Sequence, residues 1–460
     1  MSFKQLEKFF NPGSVAVIGA SHDPKKLGYI VFENFVREFG GRAYPVNPNT
    51  TTILGKIVYP SVKKIPDSID LAVIVVPAPA VQKVVRECID KKIPNAVVIS
   101  GGFSETGGKG IVLEQRLKQT VVAAKGKTKV IGPNCVGVFD PRTKVDTMFL
   151  SRDRLKRPHE GNIAFISQSG AVGSTVLDWL ANEGIGISKF VSYGNGIDAN
   201  ETDFLEFFAE DKDTHVIAMY VEGMKAEGKK FLQAMKNASG RKPVVVLKAG
   251  KTEKGIKAAA SHTGSLAGAS RIYSASFKQS GIIEAANWEE LFDFVKTFSM
   301  QSLPRGNRLA IITDGGGFGV LATDEAEHQQ LQLPEPSHAL KDKLKTKMPA
   351  HVILRNPVDL TGDADLERYV HAMEEMLGSK EYDGAVVISL MQIPTLDSKV
   401  ADAIVEMKKF GKPVVVCAVG SDYTQRFVKN LESKGVPVFP TPERAVRAFA
   451  TLWNYKKIFS

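Results

Sequence analysis

The chain has little cysteine. Cys88, Cys135 and Cys417 are spread over 460 residues with no Cys-x-x-Cys pair. That spacing argues against a disulfide framework and against a zinc site, so no metal is expected. Long apolar runs are also missing: none approaches the ~18 residues of a membrane span. The opening stretch, Met-Ser-Phe-Lys-Gln-Leu-Glu-Lys-Phe-Phe, has scattered charges and no signal-peptide layout, so a cytoplasmic protein is expected. Basic blocks and aromatic-interleaved basic runs are absent too. The net charge of +10 comes from dispersed Lys and Arg, which suits anionic small molecules better than nucleic acid. What remains is an ordinary globular composition, 43% apolar and 24% charged. At ~100–200 residues per domain, the length suggests about three domains.

The first unit is read as residues 1–142. Short apolar runs at Ser14–Ile18, Ala43–Val46, Leu71–Val76, Ala96–Ser100 and Lys129–Ile131 alternate with helical patterns such as Gly28–Phe39 and Ala80–Lys91. Strand alternating with helix predicts a parallel, doubly wound sheet, whose ligands bind outside the carboxyl strand ends. Each of those ends is rich in Gly, Asn, Ser or Pro: Gly19-Ala20-Ser21, Asn47-Pro48-Asn49, Pro77-Ala78-Pro79, Gly101-Gly102-Phe103 and Gly132-Pro133-Asn134. The first loop lacks Gly-x-Gly-x-x-Gly, and the second strand ends in Asn47 rather than an acid. The fold is dinucleotide-like, but NAD is not the expected ligand.

A second unit is read over residues 143–300. Strand Asn162–Ile166 runs through Ser167-Gln168-Ser169-Gly170 into helix Val172–Asn182, a helix start of the kind that binds phosphate. Strand Val216–Val221 ends in Glu222-Gly223. Gly250-Lys251-Thr252 is not a P-loop, because the glycine required five residues earlier is Val245. The small-residue segment from Lys257 to Gly268 then carries a single imidazole, His262. Imidazole titrates near neutral pH and can act as a nucleophile. A lone loop histidine more often has no role, so the promotion needs a further reason.

The third unit, residues 301–460, supplies one. It reads as a second copy of the second unit: Leu309–Thr313 leads into Asp314-Gly315-Gly316-Gly317, Gly384–Leu390 parallels Val216–Val221, and Lys412–Val416 parallels Lys242–Val246. The copy has no counterpart of His262; after Cys417 it reads Ala-Val-Gly-Ser-Asp-Tyr. Repeats that share a scaffold and differ in one loop place the difference in function.

The chain resembles the alpha subunits of ADP-forming acetyl-CoA synthetases, within the succinyl-CoA synthetase superfamily. The motifs that carry the resemblance are Val17-Ile18-Gly19-Ala20-Ser21, Pro45-Val46-Asn47-Pro48, Val75-Val76-Pro77, Gly132-Pro133-Asn134-Cys135, Ser167-Gln168-Ser169-Gly170, Ser261-His262-Thr263-Gly264 and Asn356-Pro357-Val358-Asp359-Leu360. It implies a Rossmann-like CoA-binding domain followed by two flavodoxin-like doubly wound domains. It also implies a reaction: acetyl-CoA, ADP and phosphate become acetate, CoA and ATP, through an acyl phosphate and a phosphohistidine at His262. Nucleotide with its Mg is implied on an ATP-grasp beta subunit, in an alpha2beta2 assembly.

Coenzyme A is then expected along Gly19, Ser21, Lys26, Pro48, Val76, Pro77, Gly101, Gly102, Pro133 and Asn134. Phosphate is expected at Ser169, Gly170, Gly316 and Gly317. Glu222 either accepts a hydrogen bond from the His262 ring or is a solvated strand-end carboxylate. The rival reading of the whole chain is a non-catalytic acyl-CoA-sensing regulatory module, against which the retained His262 argues.

Overall fold

Short strands of two to eight residues, most of them apolar, build every large sheet of the chain. The computed structural model describes residues 3–257 and 270–459. His262 and its motif, Ser261 to Gly264, lie outside those residues.

In the first sheet β1 (Ser14–Ile18), β2 (Arg42–Val46), β3 (Leu71–Ile74), β4 (Asn95–Val98) and β5 (Lys129–Ile131) are parallel, in the order β2-β1-β3-β4-β5. β1 is buried at all of its positions, as a strand covered on both faces should be. Two helices flank it in sequence, α1 (Phe3–Phe10) before and α2 (Leu27–Glu38) after.

The second sheet holds β6 (Gly137–Asp140), β7 (Val145–Asp146), β8 (Glu160–Ser167), β9 (Ile187–Ser192), β10 (Val216–Val221), β11 (Val244–Lys248) and β12 (Ile283–Ala285). Its order is β12-β11-β10-β8-β9-β6-β7. Helix α3 (Gly170–Asn182) follows β8, and α4 (Glu201–Glu210) follows β9 behind an Asn200–Asp203 capping box. The sequence reading ends its first unit at residue 142. β6 and β7 straddle that point, and both pair in the second sheet.

After α5 (Trp288–Met300) the third sheet forms from β13 (Leu309–Thr313), β14 (Ile353–Leu354), β15 (Val358–Asp359), β16 (Gly384–Ser389), β17 (Val414–Ala418) and β18 (Val438–Phe439). The order is β14-β15-β13-β16-β17-β18, and α6 (Gly316–His328) follows β13. Counting only the parallel strands of each large sheet, all three have the order 2-1-3-4-5 of a doubly wound flavodoxin-like sheet. The second and third also share an antiparallel neighbour on the strand in place 2: β6 on β9, and β14 on β15. The duplication visible in the sequence is a duplication of topology.

The chain divides into two compact units, Met1–Ala286 and Asn287–Ser460. In the first, α1 drives Phe10 against Phe207 and Phe208 of α4, with ring centroids 5.5 and 5.6 Å apart. One buried apolar cluster therefore runs through both of its sheets. Helix α5 belongs to the second unit, although the sequence reading closes residues 143–300 with it. Its buried charges find their partners there: Asp293 accepts from Arg444 at 2.7 Å, and Lys296 donates to Glu432 at 2.7 Å.

Candidate active site

At the carboxyl ends of β1 and β3 the chain leaves in opposite directions, which opens a crevice. Gly19 ends β1 with φ +93°, and a Cβ on it would stand 2.2 Å from the Val75 carbonyl oxygen. Gly28, in the first turn of α2, would place a Cβ 2.0 Å from the Gly19 oxygen. Only glycine lets this helix start approach the strand end so closely. The rim is tied down by side chains: Asn47 Nδ2 donates to the Ala20 oxygen at 2.7 Å, and Ser100 Oγ to the Val76 oxygen at 2.6 Å. The groove that results, about 430 Å³, is lined by Gly19, Lys26, Val76, Gly101, Asn134 and Phe149 among others.

Five of the ten CoA candidates thus meet in one groove. The other five do not line it. Ser21 is buried, and its Oγ accepts from Asp23 N at 3.0 Å. Pro48 is an exposed turn residue, and Pro77 is the exposed N-cap of the helix that starts at Ala78. Gly102 gives its N–H to Glu105 Oε1 at 2.6 Å. Pro133 is buried behind a cis peptide bond with Gly132.

A second crevice opens at the equivalent place in the second sheet, between β8 and β10. Ser169 caps α3, its Oγ accepting from Val172 N at 3.3 Å, while Gly173 N reaches the Ser169 carbonyl. The amides of Gly170 and Ala171 have no partner inside the helix, which is the usual state of a first turn. Glu222 follows β10 and is only 6% exposed. The reading of Glu222 as a solvated carboxylate is therefore excluded by its burial. Its backbone N–H and that of Gly223 both donate to Gln168 Oε1, at 2.8 and 3.0 Å. Tyr220 Oη donates to Glu222 Oε1 at 3.3 Å. Ser169, Gly170, Gln168, Glu222, Asn195 and Lys225 line part of a cavity of about 420 Å³.

The groove and the cavity lie side by side, with Ile99, Asn134 and Phe149 lining both. The approach of their edges is fixed by close backbone packing: Asn195 N donates to the Pro133 oxygen at 2.9 Å, and a Cβ on Gly194 would stand 2.2 Å from the Asn134 oxygen. Lys129 Nζ adds an ion pair to Asp198 at 2.6 Å.

Electrostatics separates the groups in and around this space. Burial pushes the Lys225 ammonium down, against the raising effect of Glu114, Glu201 and Glu222. Burial pushes the Cys135 thiol well up, so it lines the cavity as a thiol rather than as a thiolate nucleophile. Burial would also raise Glu105, but hydrogen bonds from Asn195 and from backbone amides outweigh it and hold the carboxyl below its usual range. Lys248 is buried at the end of β11, directly before the segment that leads to His262. It donates to the Glu222 oxygen at 2.8 Å and to the Ala249 oxygen, with its Nζ 4.7 Å from the centre of the Tyr273 ring.

Gly316 and Gly317, the other phosphate candidates, are exposed in the first turn of α6 in the second unit. Sequence reasoning missed Lys225, Asn195, Phe149 and the Gln168 side chain. Lys225 follows Glu222 by three residues, which was the available signal; Phe149 had none. Among the described residues no group of three or more His, Cys, Asp or Glu side chains could hold a metal ion. No helix there is long and apolar enough to cross a membrane.

Two family descriptions match most of the first compact unit. Residues 13–141 match a family described as a CoA binding domain, and residues 160–298 match the succinyl-CoA ligase like flavodoxin domain. The alpha subunit of ADP-forming acetate–CoA ligase I from Pyrococcus furiosus is 42% identical, over 98% of this chain and 98% of that one. The ADP-forming acetate–CoA ligase I of Archaeoglobus fulgidus is 43% identical over 98% of this chain, which spans 64% of its length. A solved structure, the dinucleotide-forming acetyl-coenzyme A synthetase 1 of Ca. Korarchaeum cryptofilum in complex with phosphate and ADP, superposes with a TM-score of 0.92. It is 38% identical and matches over 98% of this chain and 97% of that chain.

Proposed function

The chain belongs to the ADP-forming acetate–CoA ligase family, and on that premise we propose that it is the alpha subunit of an enzyme converting acetyl-CoA, ADP and phosphate reversibly into acetate, CoA and ATP. The observation that carries the reading is the adjoining pair of crevices, a groove at the end of β1 and β3 that shares Asn134 with a cavity holding a capped helix start and a buried carboxylate.

Coenzyme A lies in the groove, with its thioester end toward Asn134. Gly19, Lys26, Val76 and Gly101 form its walls, and Ser21, Pro48, Pro77, Gly102 and Pro133 shape the loops around it. Phosphate sits at Ser169 and Gly170, where free amides and the helix dipole favour an anion. Gly316 and Gly317 are a second proposed anion site. A phosphate oxygen attacks the acyl carbon; the C–S bond breaks, and CoA leaves as the thiol, taking up the proton that phosphate loses. An unprotonated nitrogen of His262 then takes the phosphoryl group from the acetyl phosphate, and acetate departs. Glu222 accepts from the other ring N–H, fixing the tautomer. ADP recovers the phosphoryl group on a separate ATP-grasp chain, where nucleotide and magnesium are bound. An alpha2beta2 assembly in the cytoplasm and a division into three domains, one for each large sheet, belong to the same proposal. The relatives are ligases, so the regulatory-module reading is set aside.

The test is ATP formation from acetyl-CoA, ADP and phosphate, followed by coupled luminescence. The chain with an ATP-grasp partner should make ATP, and the chain alone should not. Robust synthesis by the chain alone would contradict the division of labour.

A further inference from the structure

Gln168 is 4% exposed, and its amide is oriented without ambiguity. Oε1 accepts from two backbone donors, Glu222 N and Gly223 N, so that end of the side chain must be the oxygen. The nitrogen end then has no hydrogen-bond partner among the described residues. Leaving a buried amide donor unmet costs about 1–3 kcal/mol, so the position needs a reason.

The duplicated sheet supplies the comparison. Ser167 ends β8 opposite Tyr220, and Thr313 ends β13 opposite Ile388. The next residues, Gln168 and Asp314, are therefore equivalent, as are Glu222 and Leu390. Asp314 makes the same tie: its two carboxylate oxygens accept from Leu390 N at 3.0 and 3.1 Å. Ser167 Oγ and Thr313 Oγ1 also match, donating to the Ser169 and Gly315 oxygens at 2.7 and 3.0 Å. Holding the strand end thus needs only an oxygen, which a carboxylate provides. The nitrogen is what glutamine adds, and it is added in the copy that carries Glu222, the His262 segment and the cavity at α3.

We propose that Gln168 is a catalytic residue whose Nε2–H donates to an oxygen of inorganic phosphate at the start of α3, beside the amides of Gly170 and Ala171. This rests on the function proposed above. The donor orients the phosphate while one of its other oxygens forms the C–O bond and the thioester C–S bond breaks. A neutral amide does this without adding charge to a space that already holds Lys225 and Glu222.

Gln168→Glu separates the two ends of the side chain. It keeps an oxygen for Glu222 N and Gly223 N and replaces the donor with an acceptor that repels phosphate. Gln168→Met removes both ends without charge. Each variant is assayed with the ATP-grasp partner for ATP formation, varying phosphate and acetyl-CoA separately. Both should lose about tenfold or more in kcat/KM for phosphate, the worth of one hydrogen bond to a charged group, with KM for acetyl-CoA within about twofold of wild type. Lowering the pH should partly restore Gln168→Glu, whose protonated carboxyl regains a donor, and not Gln168→Met. If Gln168→Glu does not fold, Gln168→Met decides through its phosphate dependence.

A wild-type phosphate dependence in either folded variant overturns the proposal, as does a loss confined to acetyl-CoA, which would put the donor on the thioester oxygen. Failure of the wild-type pair to make ATP would overturn the proposed function instead, a separate result.

Discussion

Burial pushes the Asp314 carboxyl up to about 6, against hydrogen bonds from Tyr369 and Leu390 N that lower it. The folded chain then holds this proton more tightly than the unfolded chain, so ionisation opposes folding. The penalty is absent below about pH 4, the unfolded value, grows as the pH rises, and is complete above about pH 6. Asp314→Asn keeps an oxygen for Leu390 N and removes the charge. Its stability relative to wild type should be unchanged near pH 4 and higher by up to about 3 kcal/mol at pH 7.5. Urea unfolding at stepped pH measures this, and a difference independent of pH would show that Asp314 is not the titrating group.

At the same scale, the glycines and Asn134 that line the groove at β1 and β3 were legible as strand-end loop residues, because such loop chemistry is local in sequence. Glu222 was legible only as a position; its burial comes from tertiary packing. Gln168 stood inside a recognised motif as a spacer. Its partner N–H lies 54 residues away, so no local pattern reports it.

Among the elements, apolar runs buried on both faces were read best: β1, β10 and β13 begin and end where the sequence puts them. Helix starts were read less well than strands. α3 starts at Gly170 rather than Val172, because the Ser169 cap rather than hydrophobicity sets the start. β7 and β15 have two residues each, too few to show a period.

The start of α3 gives a second test. A Cβ on Gly170 would stand 2.8 Å from Val136 Cγ2, a side chain that can yield. Gly170→Ala keeps the N–H, whereas Gly170→Pro removes it. Apparent phosphate affinity should fall roughly tenfold further in the proline variant than in the alanine variant, with CoA binding similar in the two. Equal phosphate affinities would move the anion away from this amide. Gly28→Ala acts at the other crevice, where a Cβ would stand 2.0 Å from a backbone oxygen. It should lower stability by about 1–3 kcal/mol and weaken CoA binding, measured by thermal unfolding and by titration calorimetry.

For the whole molecule, the two compact units differ in how their cores are made. The buried clusters of the second draw on residues between Leu309 and Ala450, whereas one cluster of the first runs from Leu6 to Ile282 through two sheets. Residues 287–460 expressed alone should therefore unfold cooperatively on heating, followed by circular dichroism. Residues 1–142 alone should not, since Phe10 loses the rings of Phe207 and Phe208. The three-part plan and the order of the motifs were legible in the sequence. The sharing of a core between the first two sheets was not, because it depends on aromatic contacts between residues some two hundred positions apart.

The central claim is that this chain carries the phosphoryl group on His262. It is tested most directly by incubating the chain and its ATP-grasp partner with acetyl-CoA and labelled phosphate, without ADP, and mapping the label by peptide mass spectrometry. The account predicts label on His262, discharged by ADP, and no label in His262→Ala although CoA still binds. An unlabelled wild type, or label that persists in His262→Ala, would contradict it.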